Sequence, residues 1–270
     1  MGRWTSLLAS RVRPLILGMV HVQALPGSPL HLLKMEDIVS RARAEAEIYK
    51  GHKLDGLIIE NMHDVPYICS NSCGPEITSC MTAVCREVRQ SCSHMPLGVQ
   101  VLAGCNKEAL AVALAADCDF IRAEAFIYSH VADEGLMNGC AGELLRYRSA
   151  IGANHISVLC DIKKKHSSHA ITSDISIEQM ARDAEFFLSD GVIVTGVSTA
   201  DSADVAQLKA VKESLDIPVL IGSGVTAANL HEYSSADALI IGSYFKKDGK
   251  WTNQLDDERI EAVVNARNAL

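Results

Sequence analysis

A chain of 270 residues that is 48% hydrophobic, 21% charged and 5% aromatic, with a net charge of −8, excludes several classes. It is too apolar and too weakly charged to be disordered, and 18 Gly with 7 Pro are too few for a collagen-like or low-complexity chain. The acidic balance, 25 Lys+Arg against 33 Asp+Glu, argues against nucleic acid as a partner, which calls for a basic face. No uninterrupted apolar run reaches the roughly 18 residues of a membrane span, so no transmembrane segment is expected.

The start of the chain is acid-free. Arg3, Arg11, Arg13 and Lys34 precede the first acidic residue, Glu36, and lie among Ser6, Leu7, Leu8 and Ser10. An Arg-rich, Ser-bearing segment without acids has the pattern of a mitochondrial transit segment; an ordinary basic tail is the alternative. Residues 1–14 are expected as this tail and residues 15–270 as one domain, located in the mitochondrion or alternatively the cytoplasm. Met1-Gly2 with Ser6 also fits the loose myristoylation pattern.

From residue 15 onward, short β-branched runs alternate with amphipathic segments. Strands are predicted at 15–20 (LILGMV), 57–59 (LII), 97–102 (LGVQVL), 120–123 (FIRA), 156–160 (ISVLC), 192–195 (VIVT), 218–221 (PVLI) and 238–241 (ALII). Helices are predicted between and after them, at 35–51, 76–93, 107–116, 143–151, 177–189, 203–215, 227–233 and 256–270. Continuous apolar runs suit strands covered on both faces, and strands alternating with helices make parallel units. Eight such units predict an α/β fold: a single (β/α)8 TIM barrel with a parallel eight-stranded core. A doubly wound open sheet is the competitor, but no G-x-G-x-x-G follows the first strand. The longest irregular stretches, 21–34, 61–74, 125–142 and 162–176, all fall on the rim where barrel active sites are built.

The last two strands carry the strongest local signal. Gly222-Ser223-Gly224 follows the seventh strand and Gly242-Ser243 the eighth. Phosphate-binding barrels use these two loops, because glycine lets the backbone approach an anion closely and turn N–H groups toward it. The other strands end in polar residues that a barrel brings to one mouth: His21; Glu60 and Asn61; Gln100; Arg122 and Glu124; Asp161, followed by Lys163, Lys164, Lys165 and His166; and Thr195. Asp161 is the leading site candidate, as a base or metal ligand. Lys165 is a candidate Schiff-base or phosphate-contacting lysine, with a surface lysine as the alternative. Arg122 could equally be a structural partner of Glu124 or Glu60. A divalent metal held by Glu60, Asp161, His21 and His166 is a minor hypothesis, and FMN a second candidate cofactor.

Nine cysteines are present, five of them at Cys69, Cys73, Cys80, Cys85 and Cys92. Their spacing is looser than that of zinc knuckles, and they are expected as free thiols in a reducing compartment.

Several motifs now form a pattern: ILGMVH from Ile16, ALPGSP from Ala24, DGLIIENMHDVPY from Asp55, GPE from Gly74, HVADEGL from His130, LRYR from Leu145, DGVIVTG from Asp190, PVLIGSGVT from Pro218 and IIGSYFKKDG from Ile240. In this order and over nearly the whole length, the chain resembles the BtpA family, named for a factor in photosystem I biogenesis. The resemblance implies a phosphate-binding TIM barrel and marks His21, Glu60, Asn61, Arg122, Asp161, Lys165, His166, Thr195, Ser223 and Ser243 as the site. The cysteine-rich segment departs from the family's pattern, and a photosynthetic role is not carried over. The expected function is an enzyme on a small phosphorylated metabolite, through lyase, isomerase or phosphoribosyl-type chemistry, with a homo-oligomer as candidate assembly. The alternative is a non-catalytic assembly or stability factor for a membrane protein complex.

Overall fold

In the computed structural model, residues 2–196 and 201–270 are described. Eight parallel strands close into a barrel: β1 (Leu15–His21), β2 (Gly56–Glu60), β3 (Leu97–Gln100), β4 (Phe120–Ala123), then, after two short strands β5 (His130–Ala132) and β6 (Gly135–Met137), β7 (Ser157–Ile162), and, after another short strand β8 (Ser167–Ser168), β9 (Gly191–Val194), β10 (Val219–Ile221) and β11 (Ala238–Ile241). Around it run α1 (Arg3–Ser10), α2 (Met35–Gly51), α3 (Pro75–Ser91), α4 (Asn106–Ala115), α5 (Ala141–Ala150), α6 (Ile177–Phe186), α7 (Val205–Glu213) and α8 (Asp257–Asn268). The predicted fold class is the observed one.

Strand periodicity builds the interior. Side chains alternate between the barrel axis and the helix layer. Leu17, Met19, Ile58, Phe120, Leu159, Ile193, Leu220, Ala238 and Ile240 form the inner apolar cluster. Two residues beyond the last inward apolar position of each strand come His21, Glu60, Arg122, Asp161, Thr195, Gly222 and Gly242. Each strand thus steps from an apolar floor to a mouth that is polar or backbone. Gly98 completes the pattern by absence, since a Cβ there would lie 2.1 Å from the Phe120 ring, which fills the space. The outward residues, among them Ile16, Val20, Leu57, Ile59 and Val99, pack against the helices in a separate, larger core.

Four aspartates tie the barrel's lower end. Asp55, Asp119, Asp190 and Asp237 stand immediately before or at the start of β2, β4, β9 and β11, and accept the backbone N–H of Ile16, Leu97, Val158 and Val219 at 2.8, 2.9, 2.8 and 2.7 Å. Each also pairs with cations: Arg267 on Asp55, Arg89 and Arg3 on Asp119, Arg148 on Asp190, Arg11 and Lys212 on Asp237. The same device thus recurs once per pair of βα units.

Residues 3–10 differ from the expected tail. They form α1, which lies across the barrel floor. Trp4 and Leu8, one helical turn apart on one face, are buried with the inner cluster. The Trp4 and Phe120 rings are 4.8 Å apart between centroids. Arg3 reaches Asp119 at 2.9 Å and Asp117 at 2.8 Å. Other differences are local. The predicted short helix at 227–233 is a 3-10 turn, Leu230–Tyr233. Helix α6 stops at Phe186, because Leu188 takes a left-handed conformation (φ 65°) that ends the helix. The stretches expected to be irregular at 125–142 and 162–176 contain β5, β6 and β8, which join as a three-stranded antiparallel sheet.

Trp4→Ala should cost about 3–5 kcal/mol, the range for truncating a large buried aromatic. A urea titration of both proteins measures this, and a loss below about 1 kcal/mol would show that α1 is an appendage rather than the floor.

Candidate active site at the barrel mouth

A cavity of about 340 Å³ opens at the C-terminal ends of the strands. His21, Glu60, Gln100, Arg122, Glu124, Asp161, Lys165 and His166 line it, together with Gly222, Ser223, Gly224, Gly242 and Ser243. Register explains the first of these: His21 is paired with Glu60 and Glu60 with Gln100, so three adjacent strands present polar ends at one level.

Arg122 and Asp161 form its buried centre. The guanidinium donates from Nε to Oδ2 at 3.1 Å and from Nη2 to Oδ1 at 2.9 Å, a two-point contact. Both side chains are almost wholly buried. Burial alone would lower the Arg122 pKa, but Asp161, joined by Glu60 and Glu124, outweighs it and the net shift is upward. Asp161 is therefore already committed, and its first role is to fix Arg122. Beside it, Lys164 Nζ donates to Glu124 Oε1 at 3.1 Å, while Glu124 Oε2 accepts from the Gly104 N–H at 2.9 Å.

Glu60 and His21 have no such committed partner. Their Oε2 and Nε2 lie 3.8 Å apart. Burial raises the Glu60 pKa, against the pull of Arg122 and Lys165. Burial, with the Lys246 ammonium behind it, pushes the His21 imidazole down to about 3. His21 is thus neutral near pH 7. Its Nδ1 lies 3.4 Å from the Trp251 carbonyl oxygen, which assigns the proton to Nδ1 and leaves Nε2 as an acceptor facing Glu60. A Glu60 that holds its proton more readily than an ordinary carboxyl suits that neighbour.

Lys165 is the mouth's uncommitted cation. Among the described residues its ammonium has no carboxylate within 4.0 Å, and burial followed by Arg122 lowers its pKa. Its backbone N–H donates to Thr195 Oγ1 at 3.1 Å, so Thr195 supports this segment without lining the cavity. Asn61 also lies off the cavity. It is buried, donating to Asp64 at 2.9 Å and accepting the Leu102 N–H at 2.8 Å, and so joins two rim loops. Ser223 Oγ accepts the Gly196 N–H at 2.6 Å and donates to Asp201 O at 3.0 Å, which braces the loop after β10 against that after β9. Gly224 is required there, because its φ is 71° and a Cβ would fall 2.3 Å from Ser202 Cα. The Ser243 hydroxyl has no partner among the described residues.

Tyr67, Lys164, Trp251 and the acidic pair Asp133 and Glu134 also line the cavity. Asp133 and Glu134 arrive on the β5–β6 turn, which no strand pattern announced. The four proposed metal ligands His21, Glu60, Asp161 and His166 do not converge as a group; the one such cluster among the described residues lies elsewhere, at Cys73, Cys105 and Glu108.

The sequence profile of the BtpA family matches residues 12–269. The chain belongs to the BtpA family. A protein of Caenorhabditis elegans described as mitochondrial is 48% identical over 98% of this chain and 97% of its own. The photosystem I biogenesis protein BtpA of Synechocystis is 29% identical over 93% of this chain and 87% of its own. Among solved structures, the (S)-3-O-geranylgeranylglyceryl phosphate synthase of Thermoplasma acidophilum, in complex with sn-glycerol-1-phosphate, superposes with a TM-score of 0.60 over the full length of both chains at 15% identity. At that identity the likeness is one of fold. No helix among the described residues of this BtpA-family chain is long and apolar enough to cross a membrane.

Asp161→Ala leaves Arg122 buried without its counter-ion and should cost about 3–5 kcal/mol in urea unfolding. A second expectation concerns acid. His21 titrates near 6.5 when unfolded and about 3 when folded. Below pH 6.5 the unfolded chain takes up a proton that the folded chain refuses, so this stability is complete above 6.5 and is lost as the pH falls toward 3. Between pH 7 and 5, His21→Gln should therefore lose about 2 kcal/mol less stability than the parent; equal losses would show that His21 does not resist protonation.

Proposed function

We propose that this BtpA-family barrel is an enzyme acting on a small phosphorylated metabolite, with the phosphate held by the loops after β10 and β11. The observation that carries the reading is the combination in one cavity of Gly222, Gly224, Gly242 and Ser243 with an uncommitted Lys165. Backbone N–H groups and the Ser243 hydroxyl would take the phosphate oxygens, while Ser223 holds the loop's shape. Facing them, Glu60, its pKa raised by burial, moves a proton, with neutral His21 beside it setting its orientation. Lys165 and Arg122 stabilise negative charge developing on the substrate, Asp161 holds Arg122 in place, and His166 stands at the exposed rim. Gln100 Oε1, buried without a partner among the described residues, is an acceptor available to a substrate hydroxyl. Lyase, isomerase and phosphoribosyl-type chemistry would each fit this set. The phosphate-named structural neighbour supports the reading by fold.

The same proposal places the protein in the mitochondrion, supported by the description of the worm relative. The second reading, an assembly factor without catalysis, draws on the name of the Synechocystis relative.

A panel of phosphorylated metabolites, screened by thermal shift, tests the binding half. A ligand at 100 times its Kd stabilises by about 2.7 kcal/mol. The stabilisation should vanish in Ser243→Asp, which sets a carboxylate where the phosphate sits. A panel that moves neither protein overturns the phosphate site. The catalytic half is tested by complementing a deletion strain with Glu60→Gln and Lys165→Met: loss of rescue with retained folding is expected, and full rescue by both would favour the assembly factor.

A further inference from the structure

One cluster of reactive side chains stands outside the mouth. Cys73 lies just before α3, Cys105 is the residue preceding α4, and Glu108 sits in the first turn of α4. Cys105 and Glu108 are three residues apart, which sets a thiol and a carboxylate on one face of that turn. Cys73 comes to them from a different loop. One ligand atom from each of the three lies within 4.8 Å of the others. None of the three lines the mouth cavity.

We propose that Cys73, Cys105 and Glu108 bind a thiophilic divalent cation, of which zinc is the chemical type, as a clasp between the β2–α3 and β3–α4 loops. Three arguments carry it. Two sulfurs and one carboxylate oxygen at this separation are a zinc donor set: four-coordinate zinc bonds sulfur at about 2.3 Å and carboxylate oxygen at about 2.0–2.2 Å, which puts neighbouring ligand atoms within reach of one ion. The donor set is wrong for magnesium or calcium, which take oxygen ligands. The surroundings suit a cation as well. Asp64, Glu76 and Glu108 all bring negative charge to bear on Cys73. Finally, Cys105 is buried while Cys73 and Glu108 are half-exposed. The ion would have protein on one side and a water as fourth ligand on the other.

The clasp would have a structural consequence for the mouth. The β2–α3 loop carries Met62 and Tyr67 into the cavity, and the β3–α4 loop carries Leu102. Joining Cys73 to Cys105 fixes the distance between these two walls. A disulfide between the same thiols would also join them, but it gives no part to Glu108 or to the acidic neighbours.

Cobalt reports thiolate ligation directly. The full-length chain, reduced with a phosphine and stripped with a chelator, is titrated with Co²⁺ and then with Zn²⁺. One Co²⁺ per chain is expected, with a sulfur-to-cobalt charge-transfer band in the near ultraviolet and tetrahedral bands in the visible, all displaced by Zn²⁺. Cys73→Ser and Cys105→Ser should lose the charge-transfer band, Cys80→Ser should keep it, and Glu108→Gln should keep it while weakening zinc by about tenfold or more. In the unsubstituted protein, zinc should raise Tm and shield Cys73 and Cys105 from iodoacetamide, as mapped on peptides, which reads the site even if a variant misfolds. The proposal falls if the folded protein takes up no Co²⁺, if the bands persist in Cys73→Ser, or if the two thiols are recovered as a disulfide with no cation bound.

Discussion

A closed parallel barrel admits one side chain in every two from each strand, and that alternation governs everything else in this molecule. It makes Leu17, Met19, Ile58, Phe120, Leu159, Ile193, Leu220 and Ile240 one stack. It also decides that the next inward position on each strand is the mouth. A shift of one residue in any strand would turn its polar end into the helix layer and an apolar residue into the cavity. The four aspartates at the lower end resist such a shift. Each binds the N–H of a neighbouring strand, so it fixes register as well as charge. Phe120 needs Gly98 beside it, and Trp4 closes the stack below Phe120. The floor and the mouth are two ends of one column.

The electrostatics of the mouth follow from that column. A polar layer above an apolar one is poorly solvated, and charges there must pair or change protonation. Both outcomes are present. Arg122 with Asp161 and Lys164 with Glu124 are paired. Glu60, His21 and Lys165 instead have shifted pKa values, each moved toward its neutral form, with burial the first cause in all three. The division separates residues that hold the site from residues able to exchange a proton in it. Asp161, the strongest candidate on sequence, falls on the holding side, because the strand end that marks it also delivers Arg122 from the adjacent strand. Glu60 falls on the exchanging side because burial outweighs the pull of Arg122 and Lys165 on it.

How much of this was legible in the sequence depends on whether a feature is local. The eight strands and most of the helices were, because period and punctuation are local; FIRA and ALII are predicted to the residue. The mouth was legible as well, since a polar residue ending an apolar run needs no tertiary information once a barrel is assumed. Pairings were not. The run Lys163-Lys164-Lys165 gives no means to assign three identical side chains: Lys163 takes a left-handed φ of 46°, which breaks the strand alternation, and only then does Lys164 reach Glu124 while Lys165 stays in the cavity. The acid-free start read as a tail because its value lies in distant partners, Asp119 and Phe120. Cys73 and Cys105 are 32 positions apart, too far for a spacing rule, and meet only because consecutive βα loops share one rim.

Charge balance at the mouth bears on what kind of ligand enters it. Among the inner side chains, Arg122, Lys164 and Lys165 face Glu60, Glu124 and Asp161. Fully ionised, this set is neutral and offers an anion nothing. The raised pKa of Glu60 weakens the negative charge in this set, and the positive charge left to meet an anion rests on Lys165, since the other two cations are held by carboxylates. Asp133 and Glu134 at the hairpin turn add negative charge on the side away from the glycine loops. A phosphate bound as proposed would therefore meet repulsion from one wall and, on the other, backbone N–H groups, the Ser243 hydroxyl and the field of Lys165. Under the proposed function, that gradient would orient a phosphorylated molecule across the cavity, phosphate toward β10 and β11 and its remainder toward Glu60, which is the arrangement a proton transfer at the far end of the substrate requires.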